Sequence, residues 1–471
     1  MQGIRIKRAE YMTQKTLTVK QAYTGEVLAE LAMHDSAQVE QMLSTAQERH
    51  RAGCLPEAQR ITVLQKLADL VEAEHEDFTR LIANEGGKPV RDARVEVTRA
   101  ISGIHIAIRE LDNIKGEKIP MDYTPAGAGH EAYTIFEPIG VVVAVSAFNH
   151  PLNLAIHQVI PAIATGCPVI IKPASLTPLC TLRLAELAQQ AGLPAGWMQV
   201  ALLNNKNAEK LVTDVRVAFF SFIGSAKVGW YLKSKLAPGT RCALEHGGVA
   251  PLIFDAYADE KGFVNGVVKA SMYHSGQVCV SVQRVYVPAS HAQDLAQKIA
   301  TVAAGQVVGD SINEETDLGP LISSKETDRI EAWVNEAVAS GARLITGGKR
   351  INAVSYEPTV LLNPPKNAKV STQEVFAPVV CVYGYKTLDE AIEQANSLEV
   401  SFQASVFSNK IETAMEVAKK LQASAVMIND YTTFRVDWMP FAGRKHSGYG
   451  IGGIGYTMRD MLEHKMIVVK E

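Results

Sequence analysis

The sequence predicts an α/β protein with mainly parallel β-sheets. Helical and strand patterns alternate along almost the whole chain, which is typical of strands joined by crossover helices. The run IGVVVAVS at 139–146 is apolar without interruption and suits a strand that is buried on both faces. The length of 471 residues exceeds the size at which one hydrophobic core usually suffices, so two large domains are expected.

The same patterns assign the elements in chain order. From Val63 an apolar repeat at helical spacing runs to Gly-Gly-Lys-Pro, a strong helix end. Two buried strands at 139–146 and 168–175 enclose the helix NLAIHQVIPAIATG, and residues 217–237 repeat the change from strand to helix. Further strands are predicted in ARLITGGK, SYEPTVLL and VVCVYGYK, with helices in KETDRIEAWVNEAVASG and LDEAIEQANSL.

Two segments look detached from this repeating order. Residues 116–138 predict a β-hairpin with Pro-Ala-Gly-Ala-Gly at its tip, and HKMIVVKE at the end predicts a short strand with no helix after it. Strands that leave a domain often pair between subunits, so oligomerisation is one interpretation. An ordinary edge hairpin is the other.

Composition excludes several classes of protein. A net charge of −3 with 21% charged residues argues against a general nucleic-acid-binding protein. The first residues, MQGIRIKRAEYMTQK, have no apolar core of the length that a secretory signal needs. No apolar run is long and unbroken enough for a membrane span. We therefore expect a soluble cytoplasmic protein that binds neither nucleic acid nor membrane.

Cysteine usage leaves the role of Cys279 open. The chain has six cysteines without a C-x-x-C motif, so a disulfide framework and a structural zinc site are both disfavoured, no metal is expected, and a reducing compartment fits. Cys279 lies after His-Ser-Gly-Gln and before a β-branched run that predicts a strand. From the residue alone it could be a nucleophile, a metal ligand, half of a disulfide or a core residue.

Two glycine-rich segments could bind phosphate. GIGGIG at 450–455 matches G-x-G-x-x-G, but it follows no convincing buried strand, and too little chain remains for the acidic residue that binds ribose. We expect a flexible or close-packed segment there. SFIGSAKVGW places Gly224, Ser225 and Gly229 at a strand-to-helix turn, where unpaired N–H groups attract an anion. Turn geometry alone explains this second motif equally well.

Eight motifs in order along nearly the whole chain resemble those of the aldehyde dehydrogenase superfamily. They are AFNHP (147–151), IIKPAS (170–175), FIGSAKVG (222–229), LEHGGVAP (244–251), SGQVC (275–279), DLGPLIS (317–323), EVFAPV (374–379) and PFAGRKHSG (440–448).

The resemblance implies a three-part subunit. A Rossmann-like cofactor-binding domain would comprise 1–115 and 139–245, and an α/β catalytic domain would comprise 246–440. A protruding β-hairpin oligomerisation element and the C-terminal segment would comprise 116–138 and 441–471. The subunits would form a homodimer or a homotetramer.

The resemblance also implies three catalytic residues. Cys279 would attack the aldehyde carbonyl, because hydride leaves readily from an alkoxide-bearing carbon and a thiolate is a good nucleophile. The side-chain amide of Asn149 and the backbone N–H of Cys279 would stabilise the oxyanion. Glu245 would be the base that hydrolyses the thioester, which favours a free acid over transfer to coenzyme A. Two positions depart from the usual motif: His246 replaces Leu, and Phe148 replaces Trp.

The cofactor implied by the resemblance is NAD, with NADP possible. Lys172 would bind the adenosine ribose, Ser225 in the glycine turn the pyrophosphate, and Glu374 the nicotinamide ribose, with Phe376 near the nicotinamide. Ser175 stands where many NAD-preferring members carry a Glu that binds both ribose hydroxyls. The absence of that carboxylate removes one barrier to a 2′-phosphate.

Three basic residues could converge on an anionic substrate. They are Arg109, His157 and Arg435, and an Arg suits phosphonate, sulfonate or carboxylate. The segment around Arg435 resembles the branch that acts on small phosphonated or sulfonated aldehydes, such as phosphonoacetaldehyde and sulfoacetaldehyde. The phosphonoacetaldehyde type has a Lys before the nucleophile, whereas this chain has Val278, which favours a sulfonate monoanion.

Other interpretations of these residues remain. The three basic side chains could form only surface ion pairs. The substrate could be a neutral or carboxylated aldehyde such as lactaldehyde, glycolaldehyde or succinic semialdehyde. A thiol acyltransferase or esterase could use Cys279 without redox chemistry, and a non-catalytic binding protein could retain the fold.

Overall fold

The computed structural model describes residues 15–256 and 259–470. Residues 1–14 of the first predicted domain and residue 471 lie outside the described residues. The α/β class predicted from the alternation of patterns is confirmed.

The chain begins with an antiparallel strand pair and a group of helices. These elements are β1 Thr16–Lys20, β2 Val27–Ala32, α1 Ser36–Arg51, α2 Glu57–Ala73, α3 His75–Gly86 and α4 Val90–Leu111, followed by β3 Lys118–Ile119 and β4 His130–Pro138. The helix predicted from Val63 is two helices, because the backbone leaves the helical range at Glu74 (φ −101°, ψ 22°). Helix α3 ends at Gly87, whose φ of 71° suits glycine.

The first large sheet is formed by residues 141–245 and one later strand. The elements of this part are β5 Val141–Val145, α5 Asn153–Thr165, β6 Val169–Lys172, α6 Leu179–Gln190, β7 Met198–Val200, α7 Asn205–Val212, β8 Val217–Ile223, α8 Ala226–Lys233 and β9 Arg241–Glu245. Neighbouring strands run parallel in the order β9-β8-β5-β6-β7. Strand β5 is almost wholly buried, as its uninterrupted Val/Ala sequence predicts.

The second large sheet comes from residues 250–428. Its part of the chain contains β10 Ala250–Ala256, α9 Glu260–Met272, β11 Val282–Pro288, α10 Ala292–Ala304, α11 Ser324–Ala339, β12 Arg343–Thr346, β13 Thr359–Leu362, α12 Lys369–Thr372, β14 Val379–Tyr385, α13 Leu388–Asn396, β15 Val400–Ser401, β16 Gln403–Ser408, α14 Ile411–Lys420 and β17 Ala425–Ile428. The order is β12-β13-β14-β11-β10-β16-β17, and only β12 pairs antiparallel.

The last part of the chain contributes both to the first large sheet and to the hairpin that contains β4. It contains β18 Arg444–Lys445, β19 Gly448–Tyr449, α15 Ile454–Asp460 and β20 Leu462–Lys470. Strand β19 extends the first sheet beside β9, and α15 packs on α4 and α5 through the buried Ile454 and Met458. Only β20 joins the hairpin, pairing with β4 along its whole length. Strand β18 pairs with β15, so only β19 and α15 of residues 441–461 pack on the first sheet and its helices. The sequence prediction had grouped this whole range with the hairpin.

The glycine-rich segment 450–455 is close-packed. A Cβ atom at Gly453 would lie 2.7 Å from the carbonyl oxygen of Met439, and Gly453 has a φ of 107°. The segment leads into α15 instead of following a buried strand. The structure therefore supports the close-packed interpretation.

The two large sheets bring their functional edges together. Strand β9 ends at Glu245, and the residues that follow β5, β6 and β8 lie at the same carboxyl edge. Cys279 precedes β11 and Glu374 precedes β14, at the amino edge of the second sheet. A Cβ atom at Gly247, two residues after the end of β9, would collide with the carboxylate of Glu374, so these two edges face each other. Among the described residues, no helix is long and apolar enough to span a bilayer.

Candidate active site

The side chain of Asn149 is fixed to the segment that carries Cys279. Asn149 is 5% exposed, and its Nδ2 donates to the backbone carbonyl oxygen of Gln277 at 2.9 Å. Because an amide nitrogen carries two hydrogens, the second remains available to another acceptor. The bond joins the residue predicted for the oxyanion to a point two residues before the predicted nucleophile.

The segment before Cys279 is held in an uncommon backbone conformation. His274 and Ser275 have φ angles of 50° and 55°, which non-glycine residues rarely adopt. Ser275 Oγ donates to the carbonyl oxygen of Gly319 at 2.6 Å, and Gln277 Oε1 accepts from the backbone N–H of Ile322 at 2.9 Å. The motif at 317–323 therefore anchors the segment that presents Cys279.

Cys279 is partly exposed, and all six cysteines are free thiols. Burial and the nearby carboxylates of Glu245 and Glu374 raise the pKa of the thiol well above its ordinary value, while Arg435 opposes them. Among the described residues, no group of three His, Cys, Asp or Glu could hold a metal ion.

Glu245 has the environment of a general base. Burial raises the pKa of its carboxyl group to about 7, and the positive charge of Arg435 partly offsets this. A base with a pKa near the working pH is present in its active form and still accepts a proton strongly. Its carboxylate points towards Gly452, since a Cβ atom there would lie 3.6 Å from Oε2.

The glycine turn after β8 is held from two sides by the end of β9. The backbone N–H of Gly224 donates to the carbonyl oxygen of Glu245 at 3.0 Å, and His246 Nδ1 donates to the carbonyl oxygen of Gly224 at 2.8 Å. A Cβ atom at Gly229 would collide with the His246 ring, so only glycine fits there. His246, which replaces the Leu of the usual motif, therefore stabilises the glycine turn through its side chain.

The predicted cofactor residues lie around this turn and across from it. Ser225 begins α8 without capping it through its side chain, which leaves the first N–H groups of the helix available. Lys172 at the end of β6 is half-buried, and this burial lowers the pKa of its ammonium group, whereas Ser175 is exposed. Phe376 has a φ of 47° and meets Phe148 edge-on, with ring centroids 5.8 Å apart.

Glu374 provides the observation that tests whether these residues fit a nucleotide. Its Oε1 atom is buried and has no hydrogen-bond partner. Burial raises the pKa of this carboxyl group to about 8, with Arg329 and the N–H of Gly248 opposing. An unpaired buried oxygen is costly, and a ribose hydroxyl is a donor that would satisfy it. The unpaired carboxylate oxygen of Glu374 therefore fits a bound nucleotide, whose ribose would supply the missing donor.

Two of the three predicted anion-binding residues come together, with two residues that sequence reasoning missed. His157 Nε2 donates to Asp437 Oδ1 at 2.9 Å. Arg99 holds the same carboxylate with two bonds of 3.0 and 2.7 Å. Arg435 is half-buried, with its Nη1 donating to the carbonyl oxygen of Met439 at 2.9 Å and its guanidinium carbon 4.2 Å from the ring centroid of Phe441.

Arg109 does not join this group. It is exposed near the end of α4, and the arginine of that helix that reaches the group is Arg99. Ten residues separate them, which is about 15 Å along an α-helix. Asp437 stands only two residues after Arg435 and could have been considered from the sequence. Arg99 carried no such signal, because its partner is 338 positions away.

Comparisons with known proteins show which proteins this chain is similar to. A family model described as the aldehyde dehydrogenase family matches residues 10–467. The 3-sulfolactaldehyde dehydrogenase of Priestia aryabhattai is 37% identical over 458 residues, which cover 97% of this chain and 95% of that protein.

Two solved structures are also similar. Aldehyde dehydrogenase 21 from Physcomitrella patens, in complex with the reaction product succinate, has a TM-score of 0.94 at 33% identity, and the match covers 98% of this chain and 96% of that one. Glyceraldehyde-3-phosphate dehydrogenase from Methanocaldococcus jannaschii, complexed with NADP, has a TM-score of 0.92 at 32% identity, covering 98% and 100%.

Proposed function

The chain belongs to the aldehyde dehydrogenase family, and from this premise we propose that it oxidises a small aldehyde with one anionic group to the free carboxylic acid. The family suggested by the eight motifs is confirmed, and the substrate is the new part of the proposal. The observation that carries it is the position of Arg435, whose guanidinium group stacks on Phe441. Phe441 and Cys279 pack against the same small apolar cluster, and the charge of Arg435 acts on both Cys279 and Glu245.

The first step is addition of Cys279 to the aldehyde. The thiol releases its proton to solvent, and the thiolate forms a carbon–sulfur bond while the carbonyl π electrons move to oxygen. The second N–H of Asn149 and the backbone N–H of Cys279 stabilise this oxygen. Donors placed in advance are worth about 3 to 4 kcal/mol each.

Residues on both sheet edges would hold the nicotinamide cofactor. Lys172 would bind the adenosine ribose, Ser225 the pyrophosphate and Glu374 the nicotinamide ribose, with Phe376 beside the ring. When bound, NAD or NADP supplies the acceptor for the hydride that leaves the alkoxide-bearing carbon. Cys279 then carries a thioester.

Glu245 hydrolyses the thioester. It takes one proton from a water molecule, whose oxygen attacks the acyl carbon as the carbon–sulfur bond breaks. The carboxylic acid leaves, and the thiolate of Cys279 is restored. A carboxylate with a pKa of about 7 suits this task, which supports a hydrolytic enzyme instead of one that passes the acyl group to coenzyme A.

The proposal of an anionic substrate rests on the nitrogen atoms of Arg435 that have no partner in the described part of the protein. Within the described residues only Nη1 of this side chain has a hydrogen-bond partner, so its Nε and Nη2 groups can bind an anion. Burial lowers the pKa of the guanidinium group only to about 10, so the group stays charged at neutral pH. The similar protein that acts on a sulfonated aldehyde supports a sulfonate, and the one bound to succinate supports a carboxylate as the second candidate.

Replacing Arg435 tests this proposal. We expect Arg435→Met to lower kcat/KM for sulfoacetaldehyde and succinic semialdehyde about 30-fold more than for acetaldehyde, because a charge-assisted hydrogen bond contributes about 1.5 to 3 kcal/mol. Steady-state rates of reduced nicotinamide formation measure all three. An equal loss for all three substrates would show that Arg435 does not bind the tail. As a matched control, the exposed Arg109→Met should leave the ratios as they are.

The cofactor preference has its own test at Ser175. We expect Ser175→Glu to weaken NADP binding at least about 10-fold more than NAD binding, since a carboxylate beside a 2′-phosphate places like charges together. Isothermal titration of the two cofactors, without aldehyde, gives both dissociation constants. Ser175→Gln keeps the length without the charge and should show little discrimination. Equal weakening of both cofactors by the Glu variant would place the 2′ position away from Ser175.

We infer that β20 forms the edge at which subunits pair, because within the described residues its only strand neighbour is β4, and Met466, Val468 and Val469 are exposed along it. A homodimer or homotetramer follows from such an edge. Six free thiols fit a reducing compartment, which supports a cytoplasmic location.

A further inference from the structure

Asp437 is the centre of the polar group beside Arg435. Asp437 is 3% exposed. Its carboxylate accepts two hydrogen bonds from the guanidinium group of Arg99 on α4 and one from Nε2 of His157 on α5. Asn153 Nδ2 adds a longer bond of 3.4 Å. Burial alone would raise the pKa of Asp437, but the bonds from His157 and Arg99 outweigh it and hold the pKa well below its usual range. Asp437 is therefore an anion wherever the enzyme works.

The charges of this group can be counted. Arg99 and Asp437 cancel each other, since the two form a bidentate ion pair. Burial lowers the pKa of His157, so its ring is neutral near pH 7, although Asp437 opposes the shift. Arg435 is the one cation left without a counter-charge in direct contact. The group therefore offers a substrate one unit of positive charge.

We propose that Asp437 is a specificity-determining residue that limits this charge to one unit, so that the site selects a monoanionic sulfonate or carboxylate over a phosphonate dianion. The inference rests on the proposed function, in which Arg435 binds the tail of the substrate. A further carboxylate, Glu245, lies in electrostatic range of Arg435, and with a pKa of about 7 it is mostly ionised at pH 8. It penalises the second negative charge of a dianion, which no cation in the group would balance.

The test compares three two-carbon aldehydes at pH 8. Sulfoacetaldehyde is a monoanion, phosphonoacetaldehyde is mainly a dianion well above a second phosphoryl pKa of about 6, and acetaldehyde is neutral. Dividing each kcat/KM by that for acetaldehyde removes any loss common to all substrates. We expect the ratio of phosphonate to sulfonate to rise at least about 10-fold in Asp437→Asn, because the group then carries two positive charges.

Arg99 supplies the matched controls. Arg99→Gln leaves Asp437 uncompensated and should lower the same ratio. The double variant Arg99→Gln with Asp437→Asn restores one positive charge and should return the ratio to within about threefold of the wild type, as a double-mutant cycle requires for a charge effect. If all variants lower the three kcat/KM values equally, Asp437 only supports the fold and the inference is wrong.

The same data separate this inference from the proposed function. If the wild type does not prefer either anionic aldehyde to acetaldehyde, or if Arg435→Met does not reduce that preference, the proposed function fails. If the preference depends on Arg435 but the phosphonate-to-sulfonate ratio is unmoved in Asp437→Asn, only the role of Asp437 is overturned.

Discussion

Cys279→Ala is expected to abolish aldehyde oxidation, lowering kcat at least about 10⁴-fold, as removal of a covalent nucleophile does in other enzymes. The physical reason is that an aldehyde has no readily departing hydride until a nucleophile has made its carbonyl carbon tetrahedral. Cys279 is partly exposed, in a segment anchored by Ser275 and Gln277, so its thiol is held in place and accessible. Absorbance of the reduced nicotinamide under saturating aldehyde measures the loss.

A second cysteine provides the control for that experiment. Cys54 is exposed and lies beside Gly166, which precedes β6 and is therefore at the opposite edge of the first sheet from Glu245. Cys54→Ala should keep full activity, and Cys279→Ala should still bind NAD or NADP with unchanged affinity by titration calorimetry. Residual turnover above about one per cent in Cys279→Ala would show that the thiol is not the nucleophile.

Glu245→Gln is expected to stop the reaction after the thioester has formed. We expect kcat to fall about 10²- to 10⁴-fold, the usual contribution of a general base. Because hydrolysis slows more than hydride transfer, the variant should release one equivalent of reduced nicotinamide per site in a burst and then turn over slowly. Stopped-flow absorbance resolves the burst from the slow phase.

The pH dependence of the same residue gives an independent measurement. The base acts when deprotonated, and burial raises its pKa to about 7. In the wild type the hydrolysis rate should therefore increase as pH rises through about 7 and level off above it, whereas Glu245→Gln should lack this step.

Two results would contradict the role of Glu245. Absence of the burst in Glu245→Gln, as in Cys279→Ala, would mean that Glu245 is needed before the thioester exists. Strong acceleration of the wild type by coenzyme A would mean that the acyl group passes to a thiol instead of to water.

The sequence predicted the elements well because they depend on neighbouring residues. Uninterrupted apolar runs such as 139–146 became buried strands, and the glycine turn at Gly224 lies between β8 and α8, as the motif indicated. One predicted helix became α2 and α3, because the backbone bends at Glu74 while the apolar spacing continues. The spacing of apolar residues indicates which residues are buried, but it does not indicate where the backbone bends.

Some residues of the site could likewise be recognised from local motifs, and others could not. Cys279, Glu245, Glu374 and Asn149 stand in motifs that could be recognised along the chain, and the structure brings the first three into electrostatic contact. The partners that set the charge of the anion-binding group could not be recognised, since the bond from Arg99 to Asp437 joins residues 338 positions apart. The sequence therefore indicated Arg109 on this helix, and only the structure shows that Arg99 reaches Asp437.

The sequence by itself thus determined the fold class, the family and the types of residue available for catalysis, because each depends on local patterns and ordered motifs. Only the tertiary structure decided which cations remain unpaired, which carboxyl groups have raised pKa values and how α15 and β19 return to the first sheet. These properties depend on burial and on distances between residues far apart in the chain. The strength of an electrostatic interaction depends on the distance between the charges. In this protein those distances are set only when the two large sheets pack together.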